Sequence, residues 1–399
     1  MTRQSKSASA DLPNAKVVRP DRVQNARDQR SPHSTRWFVL LLVFLLGGFF
    51  SSDACATDSP TADSIVAKTT VKITINGKSV IGRVVEANKY RVLILRRDGR
   101  MVEYQRSKID KMQRVGSFQP YSSLKLQAHY RKLFGKNYEV TRTRNYVVVH
   151  PPGMNQQWAQ PFEELYDRFQ YYFNVRGYTL TQPEFPMVVV VFDSRAEFNK
   201  VASKQGVSDP NSYAGYYSAV SNWIVTYKNS GQTNGSWEKN ETLIHEALHQ
   251  YAFNHGIHQR WAPTPQWCAE GLASMFEAPG INNARLHNSK KDKLNSTYVR
   301  LLKHSIAENK LDGQIRRLVA SDRVFQEDIA LAYSAAWGLA FYLAETQPSN
   351  FDSYLQRIAA RDRSSNYSAS DRLADFAQSF GGNFELLEAH FKRYVDDLD

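Results

Sequence analysis

Two histidines and a glutamate stand at a fixed spacing between Thr242 and Gln250. His245 and His249 are four residues apart, and Glu246 directly follows the first histidine. The flanking apolar residues recur at helical spacing. Residues i and i+4 of a helix lie one above the other, so both imidazoles can face one metal ion. Glu246 can reach a water at that ion without ligating it, which is typical of a hydrolytic zinc site.

A carboxylate and a histidine compete for the role of third ligand. Glu270 stands in a second predicted helix that follows a proline-containing loop. His255 lies six residues after His249, where a metzincin has its third histidine. Such a site needs a helix-breaking glycine where this chain has Ala252, which favours continuing the helix. The sequence therefore favours Glu270, with His255 as the alternative and His258 as a weaker one.

The two motifs together resemble those of the gluzincin clan of zinc metallopeptidases. They read His245-Glu246-x-x-His249 and Trp267-x-x-Glu270-Gly271-Leu272-Ala273. Within the clan, the chain is most similar to a family of largely uncharacterised bacterial domains with a peptidase-like helical core. The similarity spans roughly residues 146–398 and includes an edge strand at residues 215–217.

The resemblance implies a catalytic centre and a reaction. Zn²⁺ is bound by His245, His249 and Glu270, and a zinc-activated water hydrolyses a peptide bond with Glu246 as general base. In related gluzincins a tyrosine on a later helix donates to the developing oxyanion, and Tyr333 matches it. A core tyrosine on an amphipathic helix is the alternative for that position. The expected substrate is a peptide or protein.

Short β-rich runs fill residues 65–115. Asn76-Gly77 and Asp98-Gly99 are strong hairpin turns between alternating apolar segments. Four or five short strands in about 50 residues are typical of a small SH3-like barrel. The segment resembles the Sla-type homology domain through Gly77-Lys78, Val84-Val85-Glu86, Asp98-Gly99-Arg100 and Ser107-Lys108-Ile109. This resemblance implies ligand binding or structural support.

The remaining pattern predicts an α+β chain. A linking helix is expected within residues 116–140, and a gluzincin-like domain within residues 141–399. Strands are predicted from Tyr146 and from Met187, with a hairpin or edge strand over residues 213–227. Everything after Glu238 is expected to be helical. The predicted architecture is a small SH3-like barrel, then a sheet with an edge strand, then a mostly helical part.

The first 56 residues have the features of a targeting segment. A basic stretch ends at Arg36, and a continuous apolar run of 14 residues follows at positions 37–50. That run is shorter than the ~20 residues of a membrane-spanning helix. Ala54-x-Ala56 fits the small-residue rule for signal-peptide cleavage, which predicts export. The alternatives are an uncleaved membrane anchor and, more weakly, a lipoprotein modified at Cys55.

Composition narrows the function classes. The net charge is +12, of which residues 1–36 contribute +5, and 42% of residues are hydrophobic. Two cysteines do not make a disulfide scaffold, and no Lys/Arg block interleaved with aromatics supports nucleic-acid binding. One rival is a non-catalytic protein that binds a cell-envelope ligand and has a structural zinc. Another is zinc-dependent hydrolysis of a non-peptide amide.

Overall fold

The chain folds around two separate β-sheets. The computed structural model describes residues 69–228, 241–361 and 366–398. The first sheet consists of β1 (Thr70–Ile75), β2 (Lys78–Ala87), β3 (Arg91–Arg96), β4 (Met101–Gln105) and β5 (Lys111–Arg114). Asn76 and Gly77 take positive φ values of 49° and 72°, as a tight β1–β2 hairpin requires. The five predicted strands are therefore present.

The first sheet is not a closed barrel. Its strand order is β4-β3-β2-β1-β5, and all neighbours are antiparallel. The edge strands β4 and β5 do not pair with each other among the described residues. They are separated in sequence by a 3-10 helix at Arg106–Lys108, and the four-residue β5 pairs only with β1. The prediction of a sheet here is correct, whereas closure into a barrel is not observed.

The second sheet has the order β6-β7-β8-β10-β9. Its strands are β6 (Glu139–Arg142), β7 (Tyr146–His150), β8 (Met187–Phe192), β9 (Gly215–Ser218) and β10 (Trp223–Tyr227). The three central strands are parallel, and the two edge strands run antiparallel to their neighbours. The sequence missed β6, part of which falls in the segment assigned to the linking helix. This short, partly polar strand has no apolar run and is defined by its pairing with β7.

Helices cover both faces of the second sheet. The first three are α1 (Ser123–Phe134), α2 (Asn155–Val175) and α3 (Arg195–Lys204). Val147 and Val149 pack with α1 and α3 on one face, whereas Tyr146 and Val148 pack with α2 on the other. Consecutive strand residues point to opposite faces, which explains this division. Helix α1 was predicted as a linker, but it forms one side of the core.

Helices make up the rest of the described chain. They are α4 (Glu241–Asn254), α5 (Gln266–Phe276), α6 (Pro279–Asn282), α7 (Ser296–Ala307), α8 (Gln314–Ala320), α9 (Val324–Glu327), α10 (Ile329–Thr346), α11 (Pro348–Ala359), α12 (Ala369–Phe380) and α13 (Phe384–Asp396). No strand occurs in residues 241–361 or 366–398. The α+β class with a mostly helical C-terminal part is thereby confirmed.

A glycine allows two of these helices to approach closely. A Cβ atom built on Gly271 of α5 would overlap the Ala336 carbonyl of α10. Helices α5 and α10 therefore touch backbone to backbone at this point, one residue after Glu270. This crossing fixes Glu270 relative to Tyr333, which lies one turn before Ala336 on α10.

The N-terminal prediction falls outside the described part of the chain. Residues 1–56, with the apolar run at positions 37–50 and Cys55, are not among the residues that the structure describes. Within residues 69–228, 241–361 and 366–398, no helix has the length and apolar character to cross a membrane.

Candidate metal centre

Helix α4 brings three ionisable side chains into the protein core. His245, Glu246 and His249 are only 1–3% exposed. Every residue from Leu243 to Phe253 on this helix is buried, because sheet and helices surround it. Burying ionisable groups is costly unless each has a partner. The partners of these three side chains must therefore lie inside the protein.

Glu270 of α5 completes a group of three side chains that can hold a metal ion. The Nε2 atoms of His245 and His249 lie 2.9 Å apart. The Glu270 carboxylate oxygens lie 3.4 Å from the first of these nitrogens and 4.0 Å from the second. Ligand atoms of a tetrahedral zinc are about 3.3 Å apart when the bonds are ~2.0–2.1 Å long. The observed distances bracket that value.

The unsatisfied atoms of the group support the same interpretation. Glu270 is fully buried. Among the described residues, neither of its carboxylate oxygens accepts a hydrogen bond that is both short and well aligned. The two histidine nitrogens face each other, an arrangement in which only one of them can donate. A cation between the three side chains would satisfy all of these atoms. The residues present therefore fit a metal ion.

Glu277 orients the first histidine, and the sequence analysis missed it. Its Oε1 lies 2.8 Å from His245 Nδ1, and its Oε2 accepts a hydrogen bond of 3.2 Å from Asn295 Nδ2. A carboxylate on the outer nitrogen fixes the tautomer of a ligating histidine and raises its basicity. Glu277 follows the C-terminal end of α5, seven residues after Glu270, and no motif marks that spacing.

Burial and the neighbouring carboxylates shift the pKa values of His245, His249 and Glu270. Burial lowers the pKa of His245, but Glu270 and Glu277 together raise it to about 10. Burial lowers the pKa of His249 well below its ordinary value, and the adjacent His245 lowers it further. Burial raises the pKa of Glu270. His245 therefore binds a cation or a proton strongly, whereas His249 stays neutral.

Glu246 lies beside the ligands but contacts the edge strand. Its Oε2 accepts a hydrogen bond of 2.6 Å from the Tyr217 amide of β9. Burial raises the pKa of Glu246 to about 8, against the lowering effects of His245 and this amide. A carboxyl group with a pKa near neutrality suits proton transfer at physiological pH.

Tyr333 of α10 lies at the same centre. Its hydroxyl interacts with the Glu270 carboxylate, and burial together with that carboxylate raises the pKa of Tyr333 well above its ordinary value. The phenol is therefore a neutral donor over the whole physiological range.

The alternative histidine ligands do not join the group. Helix α4 extends through Ala252 to Asn254, and His255 points its Nδ1 at the Thr181 carbonyl, 3.0 Å away. Its ring stacks on Tyr251 rather than facing His249. His258 packs on Phe253. Among the described residues, the only group of three potential ligands is His245, His249 and Glu270.

One family model matches part of the chain. It is described as "Protein of unknown function (DUF1570)" and covers residues 239–363. That range includes the three potential metal ligands, together with Glu246, Glu277 and Tyr333. No curated protein is significantly similar to the chain. The site and the region of family similarity therefore coincide.

Proposed function

We propose that the chain is a zinc metallopeptidase of the gluzincin type. The observation that carries this proposal is the convergence of two imidazole nitrogens and one carboxylate from α4 and α5, with Glu246 beside them. Two nitrogens and one carboxylate oxygen are a donor set of catalytic zinc sites, which keep a fourth position open. A purely structural site does not need Glu246.

Each side chain has a role in peptide hydrolysis. His245, His249 and Glu270 would hold the zinc, which would supply a Lewis acid for the scissile carbonyl and for a water molecule. Glu246 takes a proton from the attacking water and delivers it to the leaving amine. Tyr333 donates a hydrogen bond to the oxyanion that develops on the carbonyl oxygen.

The edge strand β9 supplies a surface for the substrate backbone. Among the described residues this buried strand pairs only with β10, and its Tyr217 amide points away from β10 to Glu246. An extended peptide can add to a strand edge that has no strand partner, through main-chain hydrogen bonds. The scissile bond of a peptide bound there lies next to the general base. This geometry favours a peptide over a non-peptide amide.

The test compares wild type with Glu246→Gln and with a matched buried variant, Glu163→Gln. Glu163 is 9% exposed and bonds to Thr143 and Asn145, outside the proposed centre. We expect one zinc per chain in all three proteins, with hydrolysis of a peptide library in wild type and Glu163→Gln only. Absence of zinc from wild type would overturn the metal centre. Zinc without hydrolysis of any peptide would overturn the peptidase.

A second candidate function concerns the five-stranded sheet, which we propose to be an SH3-like module for an anionic cell-envelope polymer. Residues 69–115 hold twelve Lys and Arg against four Asp and Glu, a net charge of +8, whereas residues 116–399 carry only +1. Tyr90 is 69% exposed, and the turn containing it bonds to Arg106 through the Tyr90 and Asn88 carbonyls. Cations around an exposed aromatic suit an acidic polysaccharide.

Binding to an acidic polysaccharide tests this second function. We expect salt-sensitive binding of polygalacturonate by wild type and a loss of at least tenfold in Lys89→Glu/Arg106→Glu. Equal binding by both proteins would refute it. Peptidase activity should be unchanged, because these residues lie away from the metal centre.

Export is also part of the proposal. It predicts a mature N-terminus after Ala56, which N-terminal sequencing of the protein from its native cells would show. A chain that retains residues 37–50 in the membrane fraction would indicate an anchor instead, and an intact chain in the cytosol would refute export.

A further inference from the structure

The tip of the β9–β10 hairpin is held by a buried arginine. Arg260 is 2% exposed. Its Nε and Nη2 donate to the Ala219 carbonyl at 2.9 and 2.6 Å, and Nη2 also donates to the Gly99 carbonyl at 2.8 Å. Ala219 belongs to the hairpin tip, whereas Gly99 belongs to the β3–β4 turn of the first sheet. One guanidinium therefore joins the two sheets at this point.

The absence of a carboxylate partner makes this arrangement unusual. Within the described residues, no Asp or Glu oxygen lies within ion-pair distance of Arg260. Burial of a guanidinium is costly unless hydrogen bonds replace its hydration. Burial accordingly lowers the pKa of Arg260. The planar donor fork matches carbonyls from both turns, which a lysine ammonium on a flexible stem does not reproduce.

Further contacts fasten the same hairpin to the helix that carries the ligands. Gln250 Nε2 of α4 donates to the Asn222 carbonyl at 2.8 Å, and the side-chain Nδ2 of Asn254 donates to Asn222 Oδ1 at 2.9 Å. Asn222 has a φ of 60°, as a tight turn requires. Gln250 directly follows the ligand His249. The hairpin tip is thus fixed to α4 on one side.

The first sheet supports the tip from the other side. The Met101 amide donates to the Val220 carbonyl at 2.7 Å. Leu95, Met101 and Phe185 form a buried apolar cluster, against which Val220 and Trp261 pack. The β3–β4 hairpin of the first sheet therefore contacts the β9–β10 tip through backbone, apolar and guanidinium contacts.

We infer that Arg260 is a positioning residue that sets the edge strand β9 against Glu246, with the first sheet as its support. Three residues separate the Ala219 carbonyl held by Arg260 from the Gly215 start of β9, and Tyr217 lies between them. A shift of the tip is transmitted along this short strand to the Tyr217 amide at Glu246. A displacement of about 1 Å at a reacting centre can cost about 100-fold in rate. This inference rests on the proposed peptidase function.

The test uses Arg260→Met and Arg260→Lys in the zinc-loaded full chain. Arg83→Met is the matched control, because Arg83 joins the first sheet to Glu184 through two hydrogen bonds of 2.7 and 2.8 Å and bonds to no carbonyl of the β9–β10 hairpin among the described residues. We expect faster hydrogen exchange in the peptide containing Tyr217 for both Arg260 variants, at unchanged zinc content. The value of kcat/KM should fall at least tenfold, mainly through a higher KM, with Arg260→Lys intermediate. Arg83→Met should leave hairpin exchange and KM within twofold of wild type.

Two results would overturn the inference. One is a hydrogen-exchange rate at Tyr217 and a KM that equal those of wild type in both Arg260 variants. The other is an equal effect of Arg83→Met, which would show that general docking of the first sheet is responsible. If Arg260→Met does not fold, Arg260→Lys provides the same readouts. Hydrogen exchange does not require hydrolysis, so a wild type without peptidase activity refutes the proposed function separately from the attachment of the hairpin.

Discussion

Removing Glu277 should weaken metal binding although no ligand is changed. Its carboxylate lies 2.8 Å from the outer nitrogen of His245 and is 7% exposed. Loss of such a partner typically costs 10–100-fold in metal affinity, which is about 1.4–2.8 kcal/mol. We expect about tenfold weaker zinc binding for Glu277→Gln, which can still accept the hydrogen bond, and about 100-fold for Glu277→Ala.

Proton competition works in the opposite direction but is the smaller effect. Because Glu270 and Glu277 raise the pKa of His245 to about 10, a metal must displace a proton from it at pH 7. Removing Glu277 makes that proton easier to displace. A divalent ion carries twice the charge of a proton, so the Glu277 carboxylate attracts the metal more strongly than it attracts the competing proton. Removing Glu277 therefore lowers the zinc affinity overall. The variants should also show a shallower increase of zinc affinity with pH.

A chelator competition titration measures this prediction. Zinc affinity is determined for wild type, both Glu277 variants and Glu163→Gln, from pH 6 to pH 8. Glu163→Gln controls for removing a buried carboxylate that contacts no ligand, and its affinity should match that of wild type. Wild-type affinity in Glu277→Ala, with its fold intact by circular dichroism, would refute the orienting role of Glu277.

Three further predictions concern the rest of the site and the first sheet. Tyr333→Phe should lower kcat by about 10²–10³ with unchanged zinc content, as for loss of an oxyanion donor; a kcat within threefold of wild type contradicts that role. Gly271→Ala should cost about 1–3 kcal/mol of unfolding free energy, because its methyl meets the Ala336 carbonyl, and should weaken zinc binding by moving Glu270; unchanged urea midpoint and affinity would refute it. Asp98→Asn should destabilise the protein by about 3–5 kcal/mol, because Asp98 Oδ2 lies 2.7 Å from buried Arg100. Burial alone would raise the pKa of Asp98, but His129, Arg100 and Arg96 hold it far below its ordinary value of 3.8. Its stabilisation is therefore complete above pH 3.8 and is lost as the pH falls below that value, so wild type but not Asp98→Asn should lose this share of stability in acid unfolding curves.

Local signals were sufficient for the elements that carry the site. The period of apolar residues places His245 and His249 on one helix, and Ala252 extends that helix past the point where His255 could turn back. The Asn76-Gly77 turn likewise has the positive φ values that its residue types favour. These features depend on neighbours within a few residues, so they can be predicted from the sequence.

Features that depend on distant partners were not predictable in the same way. Strand β6 exists through its pairing with β7 and has no apolar pattern of its own. Closure of the first sheet would require pairing between its edge strands, which no local signal reports. Glu277 reaches His245 from 32 residues away, and neither residue reveals the other by spacing.

The position of Arg260 in the structure differs from what its residue type indicates in the sequence. Arg260 follows His258 and Gln259 in the segment between α4 and α5, and an arginine there is expected at the surface, because charged side chains are rarely fully buried. In the structure it is among the least exposed charged groups, and its hydrogen bonds join a turn of each sheet. A cation buried without a carboxylate implies a backbone whose carbonyls need donors at that place. Here that backbone belongs to the hairpin whose edge strand contacts Glu246, so the first sheet supports the strand that lies beside the proposed catalytic centre.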